Sequence, residues 1–333
     1  MRVKSVSRNG LVLMIALAAL LSLGSMRGCG TGTGPFDPAE LYFHVTKLAG
    51  EIGSRNIDEP GNIVASLYIR DRLIEYGLEN VHFEYFPDGY GNLNRNVAGI
   101  CPGTAYHDLI IIVCAHFDTE KGVPGAVDNA TGIAVLLEFA RYFSANPAPY
   151  TIKFIAFNGE ESGYLGSSYN HWKSKQSGEL LDTLMILNLD MVQSNASSPE
   201  HPFILFVVSP TKASQRAFTE AKRETGKQAM NIFFIPAKTA SLLSNGLRTD
   251  AKFWIDDELT LCWPWAYDIY YNKPVDTCDK VDEAGLAIST NFIFRFFSRM
   301  LECEPVEFRE ELPDYKVSPA LLKLLADIGG IKP

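Results

Sequence analysis

The stretch Leu109-Ile110-Ile111-Ile112-Val113-Cys114-Ala115 runs directly into His116-Phe117-Asp118. An uninterrupted apolar run that is rich in β-branched residues predicts a strand buried on both faces, as strands of parallel sheets are. Polar side chains able to bind a metal ion follow at the carboxyl end of this strand. In open α/β sheets, ligands and catalytic groups collect at that end. The stretch therefore predicts both the type of sheet and the edge that carries the chemistry.

Two further apolar runs also end in acidic residues. The second run leads to Glu160-Glu161 and the third leads to Asp190, while Asp128 lies in the loop after the first strand. Because the carboxyl ends of parallel strands meet at one edge of a sheet, we expect these carboxylates to lie near His116. Nitrogen and oxygen donors of this kind suit zinc, and they also suit manganese or cobalt. The sequence thus predicts a metal centre.

Strand patterns alternate with helical patterns along most of the chain. This alternation predicts the α/β class, with three layers: a mixed, mostly parallel central sheet and helices on both faces. The chain has 333 residues, of which 47% are hydrophobic, so it can bury a large core. No Pro/Gly/Ser-rich linker interrupts residues 39–333, and we expect a single catalytic domain there. Its last long helix is predicted over Glu283–Leu301, followed by a terminal helix over residues 320–328.

The charge of the chain bears on its partners. The formal net charge is −9, and charged residues make up an ordinary 21% of the chain. Nucleic acids require a basic binding face, which an acidic body does not provide. We therefore expect no nucleic-acid partner.

The N-terminus has the pattern of an export signal over residues 1–28. A basic segment precedes the apolar run Leu11–Leu23, which is shorter than the roughly 20 residues of a membrane-spanning helix. Residues 29–38 predict a flexible tether that begins at Cys29, where a bacterial lipoprotein carries its lipid, although Arg27 stands where a small residue is usual. We expect an exported protein, extracellular or periplasmic. A lipid anchor at Cys29, secretion after cleavage and an uncleaved membrane anchor remain as alternatives.

The cysteines of the mature body show no CxxC spacing typical of a metal knuckle. An exported protein can form disulfides, and Cys262 and Cys278, which flank one loop, are the favoured pair. Sequence alone does not fix this connectivity. Cys114 lies inside the first strand and is expected to be a buried thiol.

The motifs resemble the zinc-dependent aminopeptidase family of exopeptidases, which also includes glutaminyl cyclases and glutamate carboxypeptidases. In chain order they are His116-Phe117-Asp118, Pro124-Gly125-Ala126-Val127-Asp128-Asn129-Ala130-Thr131-Gly132, Glu160-Glu161-Ser162-Gly163-Tyr164-Leu165-Gly166-Ser167, Asn188-Leu189-Asp190-Met191 and Asp276-Thr277 with Asp282 downstream. The resemblance runs from about Gly53-Ser54-Arg55 to about residue 300. It implies a zinc-exopeptidase-like fold and a metallopeptidase that hydrolyses N-terminal residues from peptides.

The resemblance also implies a role for each acidic residue. His116 and Asp190 would hold one zinc ion, Asp128 would bridge to a second, and Glu161 would bind that second ion. Glu160 would be the general base, which takes a proton from the metal-activated water. Asp118 would orient the imidazole of His116.

The sequence departs from the family pattern at the fifth metal ligand, where Asn272 occupies the position of a histidine. An amide oxygen is a weaker zinc ligand than an imidazole. One ion, or two ions with the second weakly held, is therefore expected, and a non-catalytic protein on the same fold is an alternative. A glutaminyl cyclase-type acyltransferase is a third hypothesis, which the missing histidine disfavours. His201 is an alternative ligand for the position of the missing histidine, but we expect it to be an ordinary loop residue.

For the residues that would contact the substrate, the sequence offers candidates without a complete motif. Trp263–Tyr271 is predicted to be an aromatic loop, either a packed lid or a wall of the substrate pocket, in which Tyr267 or Tyr270 would donate a hydrogen bond to the reacting oxygen. Arg248 is a candidate for binding a substrate carboxylate, and Asp250 is expected to be structural.

Overall fold

The computed structural model describes residues 34–88, 91–196, 204–225, 231–235, 249–257, 259–266 and 268–312. The chain divides into two units, Met1–Pro35 and Phe36–Pro333, and the strands and helices given below belong to the second. Within the described ranges, no helix has the length and apolar character needed to cross a membrane. The predicted export signal and terminal helix, together with Cys29, lie outside the described residues.

Eight strands form one mixed sheet. They are β1 Glu79–Pro87, β2 Leu93–Cys101, β3 Tyr106–His116, β4 Tyr150–Phe157, β5 Thr183–Asn188, β6 Ile204–Val208, β7 Asn231–Ile235 and β8 Thr260–Trp265. Their order across the sheet is β1-β2-β4-β3-β5-β8-β6-β7. The central strands β4, β3, β5 and β8 run parallel, while β1, β2 and the β6–β8 pair introduce antiparallel neighbours. The predicted mixed, mostly parallel sheet is confirmed.

The helices of the described residues are α1 Pro38–Val45, α2 Pro60–Glu75, α3 Thr131–Ala145, α4 Leu165–Ser177, the short α5 Glu179–Asp182, α6 Lys212–Thr225 and α7 Glu283–Leu301. Helix α1 continues as a π-helical segment over Thr46–Ile52, which ends at Gly53 with a φ of 78°. Asp37 caps α1 by accepting a hydrogen bond from the backbone N–H of Ala39. The predicted helix over Glu283–Leu301 is confirmed.

Strand β3 shows why the sheet carries helices on both faces. Ile111, Val113 and Ala115 pack into one hydrophobic cluster, and the alternate residues Ile112 and Cys114 pack into another. Both sets are fully buried, which requires a layer of side chains above and below the strand. Helices α1, α2, α3, α6 and α7 contribute to the first cluster, and the 3₁₀ helix Asp250–Asp257 contributes to the second. The three-layer prediction is therefore correct.

The compact unit begins slightly before the predicted end of the tether. Phe36 is buried and its ring stacks on Phe139 at a centroid separation of 5.3 Å and meets Phe294 edge-on at 5.1 Å. These contacts join the first residues of the body to α3 and α7. The segment from Phe36 onward is therefore packed, although the pattern predicted a tether through residue 38.

Two sequence predictions about the second half of the body are wrong. Cys262 and Cys278 do not pair: both are free thiols, since Cys262 is buried within β8 and Cys278 lies beside the backbone oxygen of Val45. The residues Trp263–Trp265 are not part of a loop, because they extend β8 and pair antiparallel with β6. The sequence suggested a loop because Pro264 interrupts the strand pattern, but pairing with a distant strand overrides that local signal.

Candidate metal centre

Three neighbouring strands deliver the predicted metal-binding residues to one edge of the sheet. His116 is the last residue of β3, Glu160 follows β4, and Asp190 follows β5. Asp128 lies in the π-helical turn Ala126–Ala130, directly before α3. Since β4, β3 and β5 are adjacent and parallel, their carboxyl ends converge. The sequence prediction of one shared edge is met for all four residues.

His116, Asp128 and Asp190 form a buried cluster of potential metal ligands. Each offers one donor atom, and these atoms all lie within 4.8 Å of one another. The Nε2 atom of His116 lies 3.1 Å from Asp128 Oδ1 and 3.6 Å from Asp190 Oδ1. Burial alone would lower the pKa of His116, but hydrogen bonds to Asp118, Asp128 and Asp190 raise it well above its usual value. One nitrogen and two carboxylate donors facing a common point fit a zinc ion, whose charge would replace that of the proton.

Asp118 supports the loop that carries the glutamates. Its Oδ1 accepts the backbone N–H of Glu160 and its Oδ2 accepts the backbone N–H of Glu161, each at 3.1 Å. The Nδ1 atom of His116 lies 3.3 Å from the backbone oxygen of Asp118 and 3.7 Å from its carboxylate. The fully buried carboxylate of Asp118 therefore positions the Glu160 loop more directly than it positions the imidazole.

The two glutamates lie in an acidic environment. Burial, followed by the charges of neighbouring carboxylates, raises the pKa of Glu161 to about 9. Burial also raises the pKa of Glu160 well above its usual value, against the opposing charge of His116. Carboxylates this difficult to ionise in the metal-free protein would release protons when a cation binds.

Asn272 contacts Glu161 at the position of the missing histidine. Its Nδ2 donates a hydrogen bond to Glu161 Oε2 at 3.2 Å. The backbone of Asn272 is left-handed, with a φ of 58°, a conformation that asparagine tolerates better than most residues. The amide thus presents a donor to a carboxylate that the resemblance assigns to a second metal ion.

The turn that carries Asp128 is held by two residues to which the sequence prediction gave no role. Buried Asp276 accepts the backbone N–H groups of Val127 at 2.8 Å and Asp128 at 3.1 Å, and burial raises its pKa to about 7. Asn129 donates to the backbone oxygen of Leu189 at 2.9 Å and accepts the backbone N–H of Met191 at 3.1 Å. Asn129 therefore ties the Asp128 turn to the segment that carries Asp190.

A chain of buried amides lies beneath the centre. Asn62 and Asn158 exchange two side-chain hydrogen bonds, at 2.7 and 3.1 Å. Asn96 accepts the backbone N–H of Asn158 at 3.1 Å, and its own amide donates to Glu84 at 3.0 Å. Asn158 lies two residues before Glu160, so this chain fixes the end of β4 to the antiparallel strands β1 and β2.

The other predicted site residues either lie outside the described residues or contact groups other than the metal-binding cluster. Tyr267, Arg248 and His201 lie outside the described residues. Tyr270 is half-buried in the same turn as Asn272, with its ring beneath the ammonium of Lys280 at 5.3 Å. Asp250 is buried at the start of its 3₁₀ helix, and burial raises its pKa to about 7.

The fold and the donor set together define the class of α/β proteins with a candidate metal centre at the carboxyl ends of the sheet strands. Within that class the chain belongs to peptidase family M28, whose family model matches residues 96–296. The chain is 29% identical over 205 residues to aminopeptidase YwaD of Bacillus subtilis, covering 58% of this chain and 42% of the relative. It is 24% identical over 206 residues to the probable lipoprotein aminopeptidase LpqL of Mycobacterium tuberculosis, covering 54% of this chain and 40% of the relative. The chain thus spans less than half the length of these relatives.

A solved structure supports the fold. The zinc aminopeptidase BSAP from Bacillus subtilis superposes with a TM-score of 0.67 at 17% identity, covering 79% of this chain and 95% of that chain. At this identity the likeness concerns the fold alone. The family and the zinc-exopeptidase-like fold that the motifs implied are therefore confirmed.

Proposed function

We propose that this protein is a zinc-dependent aminopeptidase that removes N-terminal residues from peptides. The observation that carries the proposal is the buried convergence of His116, Asp128 and Asp190, with Glu160 held beside them by the carboxylate of Asp118. Membership of family M28 and the relatives described as aminopeptidases support it.

Each residue then has a defined task. His116, Asp128 and Asp190 would hold the ion, which when bound would lower the pKa of a water molecule and polarise the peptide carbonyl. Glu160 would act as the general base, holding a proton at its carboxylate and passing it to the leaving amine. Asp118 keeps Glu160 in place through the backbone N–H groups of the loop.

We infer one tightly held ion and a second, weaker position at Glu161. The support is the side chain of Asn272, whose N–H donates to the Glu161 carboxylate and whose oxygen is a weaker ligand than an imidazole nitrogen. Manganese or cobalt could replace zinc in such a set of nitrogen and oxygen donors. Tyr270, Tyr267 and Arg248 are proposed to line the substrate side.

Export is part of the proposal. The basic and apolar pattern of residues 1–28, and a relative described as a probable lipoprotein aminopeptidase, support delivery to the extracellular or periplasmic side. Cys29 would then carry a lipid anchor, with the unit that begins at Phe36 as the catalytic domain.

The test uses the purified full chain. Elemental analysis should find bound zinc, and aminoacyl-arylamides should be hydrolysed. Glu160→Gln should retain the metal and lose about 10²- to 10⁴-fold in kcat, because a general base typically contributes that factor, whereas the exposed control Glu75→Gln should change neither.

Three outcomes would count against the proposal. A folded protein that binds no transition metal would overturn it, and full activity of Glu160→Gln would remove Glu160 as the base. Cyclisation of a Gln-dipeptide without arylamide hydrolysis would favour the glutaminyl cyclase hypothesis. Bound zinc with neither reaction would favour a non-catalytic protein.

A further inference from the structure

Arg55 is a fully buried cation beside the metal centre, with a relative exposure of 0%. Among the described residues, its guanidinium donates only to backbone carbonyl oxygens. The contacts are Nε to Phe117 at 2.8 Å, Nη1 to Leu48 at 3.1 Å, to Gly53 at 3.0 Å and to Pro124 at 2.5 Å, and Nη2 to Gly125 at 2.9 Å. Its backbone N–H donates to Thr119 Oγ1 at 2.8 Å, and its backbone oxygen accepts from Asn62 at 2.8 Å.

The two most informative contacts join segments that carry metal ligands. Phe117 lies between His116 and Asp118, while Pro124 and Gly125 lead into the turn of Asp128. One planar guanidinium therefore spans the end of β3 and the loop before α3. Its fork geometry presents several donors in fixed directions, which a lysine ammonium cannot reproduce.

The loop around Gly125 is tightly packed and has no room for a side chain at this position. Its φ is 63°, and a Cβ atom built there would lie 2.3 Å from the Thr119 methyl group, 2.4 Å from the backbone oxygen of Asp128 and 3.0 Å from Arg55 Nη2. The oxygen of Gly125 also accepts the backbone N–H of Ala130 at 3.1 Å. A displacement of the guanidinium is therefore transmitted to the Asp128 turn rather than absorbed by the loop.

Arg55 keeps its charge although no carboxylate in the described part of the chain lies within ion-pair distance. Burial lowers its pKa to about 10, while the charges of Asp276, Asp118 and Asp128 oppose that shift. A buried cation needs nearby negative charge or oriented dipoles. Here the carbonyl groups supply the dipoles, and the carboxylates of the metal centre supply the charge from further away.

We propose that Arg55 is a positioning residue that clamps the Asp128 turn to the end of β3 and so sets the separation of the metal ligands His116 and Asp128 before any ion binds. The proposal rests on the metal centre of the proposed function but not on peptide hydrolysis. Arg55 also lies outside the segment matched by the family model, so the match itself gives it no role.

The test measures zinc affinity without substrate. The measurement uses the full chain from which metal has been removed. Arg55→Lys retains the positive charge but loses the planar guanidinium group with its several donors. Competition with a chromogenic zinc chelator should show binding weakened by about 10- to 100-fold, the usual effect of removing a group that orients metal ligands. The matched control is Tyr150→Phe, which removes a buried hydrogen bond to the backbone oxygen of Cys303 at 2.5 Å, at the end of β4 opposite the metal centre. It should lower the melting temperature and leave zinc affinity unchanged.

A second variant covers the case in which Arg55→Lys does not fold. Gly125→Ala pushes the loop away from an intact Arg55 and should also weaken zinc binding about 10- to 100-fold. If either folded variant binds zinc with wild-type affinity, Arg55 is only a stabilising residue and the proposal is wrong. If zinc affinity falls while the wild type hydrolyses no peptide, the clamp holds and the aminopeptidase proposal fails.

Discussion

The substitution Asp118→Asn isolates the support of the catalytic loop from metal binding. The Asp118 carboxylate accepts the N–H groups of Glu160 and Glu161, each at 3.1 Å. Asparagine keeps one acceptor oxygen, but its NH₂ group then faces the second N–H, which is left without a partner. The backbone oxygen that lies 3.3 Å from His116 Nδ1 is unaffected by the change.

The magnitude follows from the loss of one hydrogen bond to a charged acceptor. Such a bond contributes about 1.5–3 kcal/mol, and about 1.4 kcal/mol corresponds to a tenfold change in rate. We therefore expect kcat to fall about ten- to a hundredfold, with zinc stoichiometry unchanged, because the triad ligands keep their positions. Steady-state hydrolysis of an aminoacyl-arylamide at saturating zinc, with elemental analysis of the same sample, measures both quantities.

The control is Asp88→Asn, the same substitution at a residue that accepts the backbone N–H of Asn92 at 3.0 Å in a surface turn. It should leave kcat unchanged. Loss of zinc from Asp118→Asn, with kcat per bound zinc preserved, would refute the reasoning, because it would mean that Asp118 acts mainly on the ligand His116.

Three further predictions concern the metal, the pH and the fold. Asn272→His should add a second zinc equivalent at Glu161, and an unchanged stoichiometry by elemental analysis would contradict the inferred weak site. In the protein from which a chelator has removed the metal, the pKa of Asp276 is about 7 and that of Glu161 is about 9. Both values lie above the values near 4 of the unfolded chain, so folding takes up protons. Its free energy of unfolding should therefore fall as the pH rises, between about 4 and 7 for Asp276 and between about 4 and 9 for Glu161, by up to about 1.4 kcal/mol per pH unit for each group. A free energy of unfolding that does not change with pH in urea denaturation would contradict this. Asp282→Ala removes the cap of α7, where Oδ1 accepts the N–H of Gly285 at 2.6 Å, and should cost about 1 kcal/mol in the same assay without altering zinc affinity.

The sequence placed three of the four clustered side chains at one sheet edge because His116, Glu160 and Asp190 each follow an apolar run, whereas Asp128 lies in a loop. The hydrophobic pattern and the length of each run identify a buried parallel strand. The topology of a parallel sheet then brings His116, Asp190 and Glu160 together without any knowledge of side-chain contacts. The same reasoning predicted helices on both faces. These features depend on patterns that are visible within short windows of sequence.

The supports of the site could not be predicted in this way. Arg55 and Asn129 act through backbone carbonyls of segments that are distant in sequence, and a carbonyl carries no residue identity. The strand assignment of Trp263–Trp265 likewise depends on pairing with β6. The favoured disulfide failed for a related reason, because Cys262 lies within β8 while Cys278 begins a short 3₁₀ helix beside the backbone oxygen of Val45.

The buried amides beneath the centre have a consequence for mutational tolerance. Because Glu84, Asn96 and Asn158 connect an outer strand of the sheet to the loop of Glu160, a change at the rim can alter turnover without touching the pocket. In a saturation-mutagenesis map scored for activity, Asn96 should be as intolerant as a ligand, while its exposed neighbour Leu93 should accept most residues. Distance from the metal is therefore a poor guide to which positions of this protein can vary.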